Sequence, residues 1–352
     1  MNSFSRIVLG TLVTVGLAIG LGGCGGTDGG QAGTSAQING AGATFPNPIY
    51  SKWFAEYNRL RPDVRINYQP QGSGAGIRQL TSRTVFFGAS DQPMNDAQLA
   101  AAPGPILHLP TVLGAVVPVY NLAGVSAELK FTGPLLADIV LGKVTKWDDP
   151  AIAEHNPGVT LPDMAITFVH RSDGSGTTFV WADYLSKISP EFKATVGADS
   201  SLRWPVGIGG KGNEGVAGMV SQTPGSLGYI ELVYALQNNI PAGAVQNSAG
   251  TFVKATIDSV TAAAAGAAAD MPQDFRVSIT NPPGQDAYPI ASFTWILLYE
   301  HPDDRAQARV MVDFMKWALT DGQPHARELG YAPLPKTVVD MELKALDKIT
   351  VQ

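Results

Sequence analysis

The chain has 352 residues and a formal charge of -6, with 45% hydrophobic and 15% charged residues. This composition excludes a disordered or collagen-like chain, and the length suits about two domains of roughly 150 residues each. The acidic balance and the lack of a long basic run argue against nucleic acid as a partner.

The first segment reads as a targeting signal. Arg6 precedes an apolar run from Ile7 to Leu21, and "LGGC" ends on Cys24, the one cysteine of the chain. The run is shorter and richer in glycine than a membrane span of about 20 residues requires. The expectation is a signal peptide over 1–23 and a lipidated Cys24, with no intramolecular disulfide. A flexible, glycine-rich tether would follow through residue 37.

From Ile38 onward, helical and strand patterns alternate, which predicts an α/β fold of mainly parallel sheets flanked by helices. Pro48 opens a helix whose apolar positions Ile49, Trp53, Tyr57 and Leu60 recur at helical spacing until Pro62. "VRINYQ" (64–69) reads as a strand, "GSGAGIRQL" as a turn into a helix, and "TVFFGAS" (84–90) as a buried strand ending at Asp91. The long apolar run "PTVLGAVVPVYN" (110–121), broken by Pro118, reads as a crossing between two lobes, with 286–300 as the return. The expected lobes are 38–113 plus 286–352, and 114–285. The alanine-rich stretch 261–270 reads as a helix by propensity. Residues 301–320 place Ala308, Met311, Val312, Met315 and Ala318 on one helical face.

Three turns share one design. "GAGATFPNP" (40–48), "GSGAG" (72–76) and "SDGSGTT" (172–178) each set glycine and a hydroxyl residue at the entry to a predicted helix. A helix start offers unsatisfied N–H groups and partial positive charge, so it can hold an anion without a formal cation. Thr44, Ser73, Ser175 and Thr177 can add hydroxyl donors. Each turn alone is equally an ordinary helix cap; three together favour a shared anion site. Arg171 supplies a planar fork suited to oxyanions, and Asp173 could orient it; a surface ion pair is the plainer alternative. Asp91, if it faces the same cleft, would accept a proton from a partly protonated anion such as mono- or dihydrogen phosphate and repel sulfate. Strand-end carboxylates also serve as caps and turn residues.

The ordered stretches "GAGATFP", "GSGAG", "FGASDQP", "LGKVTKWDDPAI", "RSDGSGT", "GGKGNEGVA" and "GSLGYIE" resemble the phosphate-binding proteins of bacterial phosphate ABC importers, over about Asn39 to Leu334. The resemblance implies a two-lobed periplasmic-binding-protein fold of type II character, joined by crossing strands. It implies an inorganic phosphate ligand, with permease and ATPase subunits as partners. It also implies that Thr44, Phe45 (through its backbone N–H), Ser73, Asp91, Arg171, Ser175, Gly176 and Thr177 hold the ligand, and that Asp173 orients Arg171. Two positions depart from the family pattern: Gly74 stands where a second serine is frequent, and Phe86 where an aspartate is. The expected protein is a lipid-anchored, extracytoplasmic monomer without cofactor.

Other readings are weaker. His170, Asp173 and Ser175 have triad residue types, yet six consecutive residues give nucleophile, base and orienter little freedom to align. Five scattered histidines and one cysteine suggest no metal site. "GKGNEG" (210–215) has glycines at dinucleotide-binding spacing after a weak strand and reads as a structural loop. A receptor for sulfate or molybdate is the nearest rival, and Asp91 discriminates against it.

Overall fold

The computed structural model describes residues 36–351. The leader, Cys24 and the tether up to residue 35 lie outside the described residues. The chain runs β1 (Ala36–Gly42), α1 (Asn47–Leu60), β2 (Val64–Pro70), α2 (Ser73–Thr81), β3 (Phe87–Ser90), α3 (Asp96–Ala101) and the long β4 (Ile106–Tyr120). Next come β5 (Lys130–Phe131), α4 (Gly133–Val140), α5 (Pro150–Ala153), β6 (Thr167–Arg171), α6 (Gly176–Ile188), α7 (Pro190–Thr195), β7 (Ile208–Gly210) and α8 (Gly212–Gln222). The remainder is β8 (Ser226–Glu231), α9 (Leu232–Gln237), β9 (Ala244–Gln246), β10 (Phe252–Val253), α10 (Ile257–Ala269), β11 (Ala291–Tyr299), α11 (Arg305–Leu319), α12 (Gln323–Leu329) and α13 (Lys336–Leu346).

Eight strands form one sheet in the order β2-β1-β3-β11-β4-β8-β6-β7, and β10-β9-β5 form a small second one. The outer ladders are parallel, as expected: β1 with β2 and β3, and β6 with β7 and β8. The two central strands depart from that expectation. β11 runs antiparallel to both β3 and β4, and β4 runs antiparallel to β8. Ile106–Ala115 of β4 lie along β11, and Val116–Tyr120 along β8. β4 and β11 are the crossing strands, and their near-continuous apolar sequence matches their burial.

Pro118 is tolerated in β4 for a local reason. Alternate amides of a strand point to one side; Val116 N donates to Ile290 O, and Tyr120 N to Pro241 O. Pro118 sits between them, just past the last β11 partner, where its missing N–H interrupts no ladder.

Other boundaries moved for capping reasons. The strand expected from Thr84 begins at Phe87, because Arg83 takes a positive φ of 53° and Thr84 N bonds back to Gln79 O, closing α2. The helix expected from residue 301 starts at Arg305, where the Asp304 carboxylate accepts from Gln307 N. Ala308, Met311, Val312, Met315 and Ala318 are buried, as the pattern required, whereas Leu60 at the end of α1 is exposed.

Candidate anion-binding site

The residues singled out above lie at the carboxyl ends of parallel strands, where open α/β sheets bind ligands. β1 leads to Thr44 and Phe45, β2 to Ser73, β3 to Asp91, and β6 to Arg171 through Thr177. A further turn, from β7 into α8, delivers Gly212 and Asn213. Thr44, Phe45, Ser73, Asp91, Arg171, Ser175, Thr177 and Asn213 are all at most 3% exposed, so the cluster is sealed from bulk water. A surface hollow of about 240 Å³ lies elsewhere, between Arg83, Phe86 and Tyr299.

Arg171 is held as a fork. Its Nε donates to Asp173 Oδ1 at 2.8 Å and its Nη2 to Asp173 Oδ2 at 2.6 Å. Its Nη1 donates to Thr177 Oγ1 at 3.2 Å. Asp173 Oδ1 also accepts from Gly212 N at 3.0 Å. Burial pushes the Asp173 carboxyl up, but the bonds and charge of Arg171, with the Gly212 N–H, hold it below the ordinary carboxylate value. The expected orienting role of Asp173 thus has its geometry, and the pair is a buried, bidentate one.

Turns from the two ends of the sheet meet directly. Ser73 Oγ accepts from Asp91 N at 3.1 Å and from Gly176 N at 3.0 Å, while Gly74 N donates to Gly174 O at 2.9 Å. Gly176 is required by this approach: a Cβ there would lie 2.5 Å from Ser73 Oγ and 2.6 Å from Asp91 Oδ2. At Gly74, the first departure from the family pattern, a Cβ would lie 3.2 Å from Gly174 Cα, so the absent side chain eases the meeting of the turns. Phe86, the second departure, precedes β3 at the end opposite Asp91 and lines the hollow beside Arg83, away from this cluster.

The 44–45 turn is fixed by two tyrosines. Tyr234 OH donates to Thr44 O at 2.5 Å and Tyr331 OH to Phe45 O at 2.6 Å. Because a trans peptide points its C=O and N–H in opposite directions, pinning Thr44 O also fixes the direction of the Phe45 N–H.

Asp91 accepts from Thr294 Oγ1 at 2.7 Å, and Ser73 Oγ lies 3.5 Å from its other oxygen. Burial pushes its carboxyl up to about 7, against the lowering effects of Thr294, Arg171 and Ser73. Burial raises Glu231 and Glu342 as well. An unfolded aspartate has released its proton by about pH 5, whereas native Asp91 keeps its own until near pH 7. The native state then binds more protons, so stability falls as pH rises through that window. The melting temperature of the protein without added anion should therefore drop from about pH 5 to 7 and level off above. Asp91→Asn should flatten that slope, and an unchanged slope would remove Asp91 as its source.

The triad alternative receives no support from the contacts made. His170 Nδ1 bonds to Arg171 O at 2.9 Å and its ring stacks on Trp204 at 5.4 Å, while Ser175 Oγ accepts from Thr178 N as a helix cap. The "GKGNEG" reading needs correction: it is a strand–turn–helix, not a loop, and it brings Asn213 into the cluster. Thr294 and Tyr229 were also missed. Tyr229 OH accepts from Arg171 N at 3.2 Å and bonds Thr178 Oγ1 at 2.6 Å.

Residues 29–321 match the PBP superfamily domain. The phosphate-binding protein PstS of Xylella fastidiosa (strain 9a5c) is 48% identical over 306 residues, covering 87% of this chain and 83% of that protein. That of Methanocaldococcus jannaschii is 37% identical over 336 residues, covering 89% and 86%. Among solved structures, the phosphate-binding protein from Stenotrophomonas maltophilia aligns with a TM-score of 0.69 at 17% identity, covering 88% of this chain and 93% of the other. A high-affinity periplasmic phosphate-binding protein, PfluDING, bound with phosphate, aligns at 0.68 and 21%, covering 86% and 92%. At these identities the structures speak to the fold, and they bear out the expected two-lobed α/β class. The chain belongs to the PstS family of phosphate-binding proteins within the PBP superfamily.

Proposed function

We propose that this protein is the extracytoplasmic receptor of a phosphate ABC importer. It captures inorganic phosphate in the cluster described above and hands it to the permease and ATPase subunits, without chemistry on the ligand. The observation that carries this reading is the pairing of opposite hydrogen-bonding roles in one sealed place. Arg171, the hydroxyls and the helix N-termini donate, while Asp91 can accept. In this reading Thr44, Phe45 N–H, Ser73, Asp91, Arg171, Ser175, Gly176 and Thr177 hold the anion, and Asp173 orients Arg171.

The lobes are 38–113 with 286–352, and 114–285. Support comes from β4, which changes partner from β11 to β8 between Ala115 and Val116. Anchoring through a lipidated Cys24, and a monomeric state, rest on the sequence alone. Among the described residues no helix is long and apolar enough to cross a membrane.

The test is calorimetric titration of protein lacking residues 1–24, stripped of bound phosphate, with phosphate and then sulfate at neutral pH. Tight phosphate binding without sulfate heat is the expected result. Equal binding of both would favour a general oxyanion receptor, and silence with both would end the transport reading.

A second check uses Gly72. Its φ of 95° and ψ of 153° lie in a region costing other residues about 1–3 kcal/mol. A Cβ there would also sit 2.3 Å from Asp173 Oδ2 and 2.6 Å from Gly174 O. Gly72→Ala should weaken phosphate binding by about tenfold or more, read by the same titration; unchanged affinity would mean that these turns need not meet.

A further inference from the structure

The hydroxyl oxygens of the site share a property that no single bond reveals. A hydroxyl has two acceptor lone pairs and one proton. Thr44 Oγ1 accepts from Asn213 Nδ2 at 2.8 Å and from Asn213 N at 3.2 Å. Thr177 Oγ1 accepts from Arg171 Nη1 at 3.2 Å and from Asn213 Nδ2 at 3.2 Å. With both lone pairs engaged, each threonine has only its proton left to offer.

One amide group therefore touches both threonines, and its own orientation is fixed. Asn213 Oδ1 accepts from Glu231 N at 3.0 Å, which leaves Nδ2 facing the two hydroxyls. Asn213 is fully buried, so water cannot replace these bonds. A flipped amide would set the Nδ2 donor against the Glu231 N–H donor, and is excluded by it.

We propose that Asn213 is a positioning residue that sets the polarity of the site: it occupies the acceptor side of Thr44 and Thr177 so that both present O–H donors to the bound anion. The inference rests on the phosphate-receptor reading and extends it to a residue that need not touch the ligand. Its consequence is specificity for acceptor-rich ligands. A hydroxyl locked as a donor cannot turn to accept from a ligand, so the task of accepting passes from Thr44 and Thr177 to other groups, Asp91 foremost.

The test is a mutant cycle in the full chain with inorganic phosphate as the probe. Asn213→Ala should weaken binding by about tenfold in the wild-type background. In a Thr44→Val, Thr177→Val background the same change should cost less than about threefold, because the hydroxyls it orients are gone. Equal losses in the two backgrounds, or no loss in either, would overturn the positioning role. If the alanine variant fails to fold, Asn213→Asp keeps the shape and the bond from Glu231 N but turns a donor into an acceptor. It should weaken phosphate binding at least as much as alanine would, by about tenfold or more, and wild-type affinity in that variant would overturn the proposal. Wild-type protein that gives no phosphate heat would defeat the receptor reading and this inference with it. Binding by wild type with an additive cycle would defeat the Asn213 role alone.

Discussion

Arg171→Ala should weaken phosphate binding by roughly 30-fold to several thousandfold, the effect of about 2–5 kcal/mol found when one partner of a buried, hydrogen-bonded charge pair is removed. The size follows from burial. The Arg171 side chain is 1% exposed and its partner Asp173 13%, so deleting the guanidinium leaves a carboxylate without a counter-charge, held by backbone N–H groups such as that of Gly212. It also frees one lone pair of Thr177 Oγ1. Lys211 supplies the control, since it precedes Gly212 directly yet is exposed. Lys211→Ala should leave affinity within about twofold, as exposed charges contribute little. Comparable losses in isothermal titrations of the two variants would place the anion elsewhere.

Asp91→Asn should change which anion binds. Above about pH 7, where Asp91 has released its proton, its carboxylate accepts hydrogen bonds and donates none, so it favours an anion that still carries a proton and opposes one that does not. The amide can turn its NH₂ toward sulfate and relieves the charge repulsion, which in a buried site is worth several kcal/mol. The phosphate-to-sulfate affinity ratio should fall by about a hundredfold or more, mostly through gained sulfate binding. An unchanged ratio, measured by competitive titration, would take Asp91 out of ligand discrimination. The Thr294 hydroxyl tests the geometry behind this, because it donates to Asp91 Oδ1 and so fixes which oxygen is free.

Much of the site could be read from the chain because its chemistry is local. Arg171, Asp173, Ser175 and Thr177 lie within seven residues, and the glycine–hydroxyl turns announce helix starts without any tertiary knowledge. Asn213 could not be found that way. Its partner Thr44 is 169 positions distant, and β7 before it has only three residues, too few to show a strand period. Thr294 was hidden for another reason, as one hydroxyl inside an apolar run that reads as core. The crossing of β4 and β11 was visible in their long apolar sequences, but hydrophobic period carries no information about direction. Hence the antiparallel centre of the sheet appeared only in the fold.

The Arg171–Asp173 pair has a consequence for release. Its charges sum to zero, and Asp91 adds none or one negative charge, so the proposed site would hold an anion without net positive charge. The attraction in such a site would come from N–H and O–H dipoles, and the pull of a helix terminus fades within about one turn. These dipoles are divided between opposite sides of the sheet, with Thr44 and Ser73 on one and Arg171, Gly176 and Thr177 on the other. Separating the sides by a few ångströms would therefore discard half the grip at once, whereas a lysine-lined pocket would hold on at long range. For a carrier that must both scavenge and surrender its cargo, the holding force is switched by geometry, and unloading requires no competing charge.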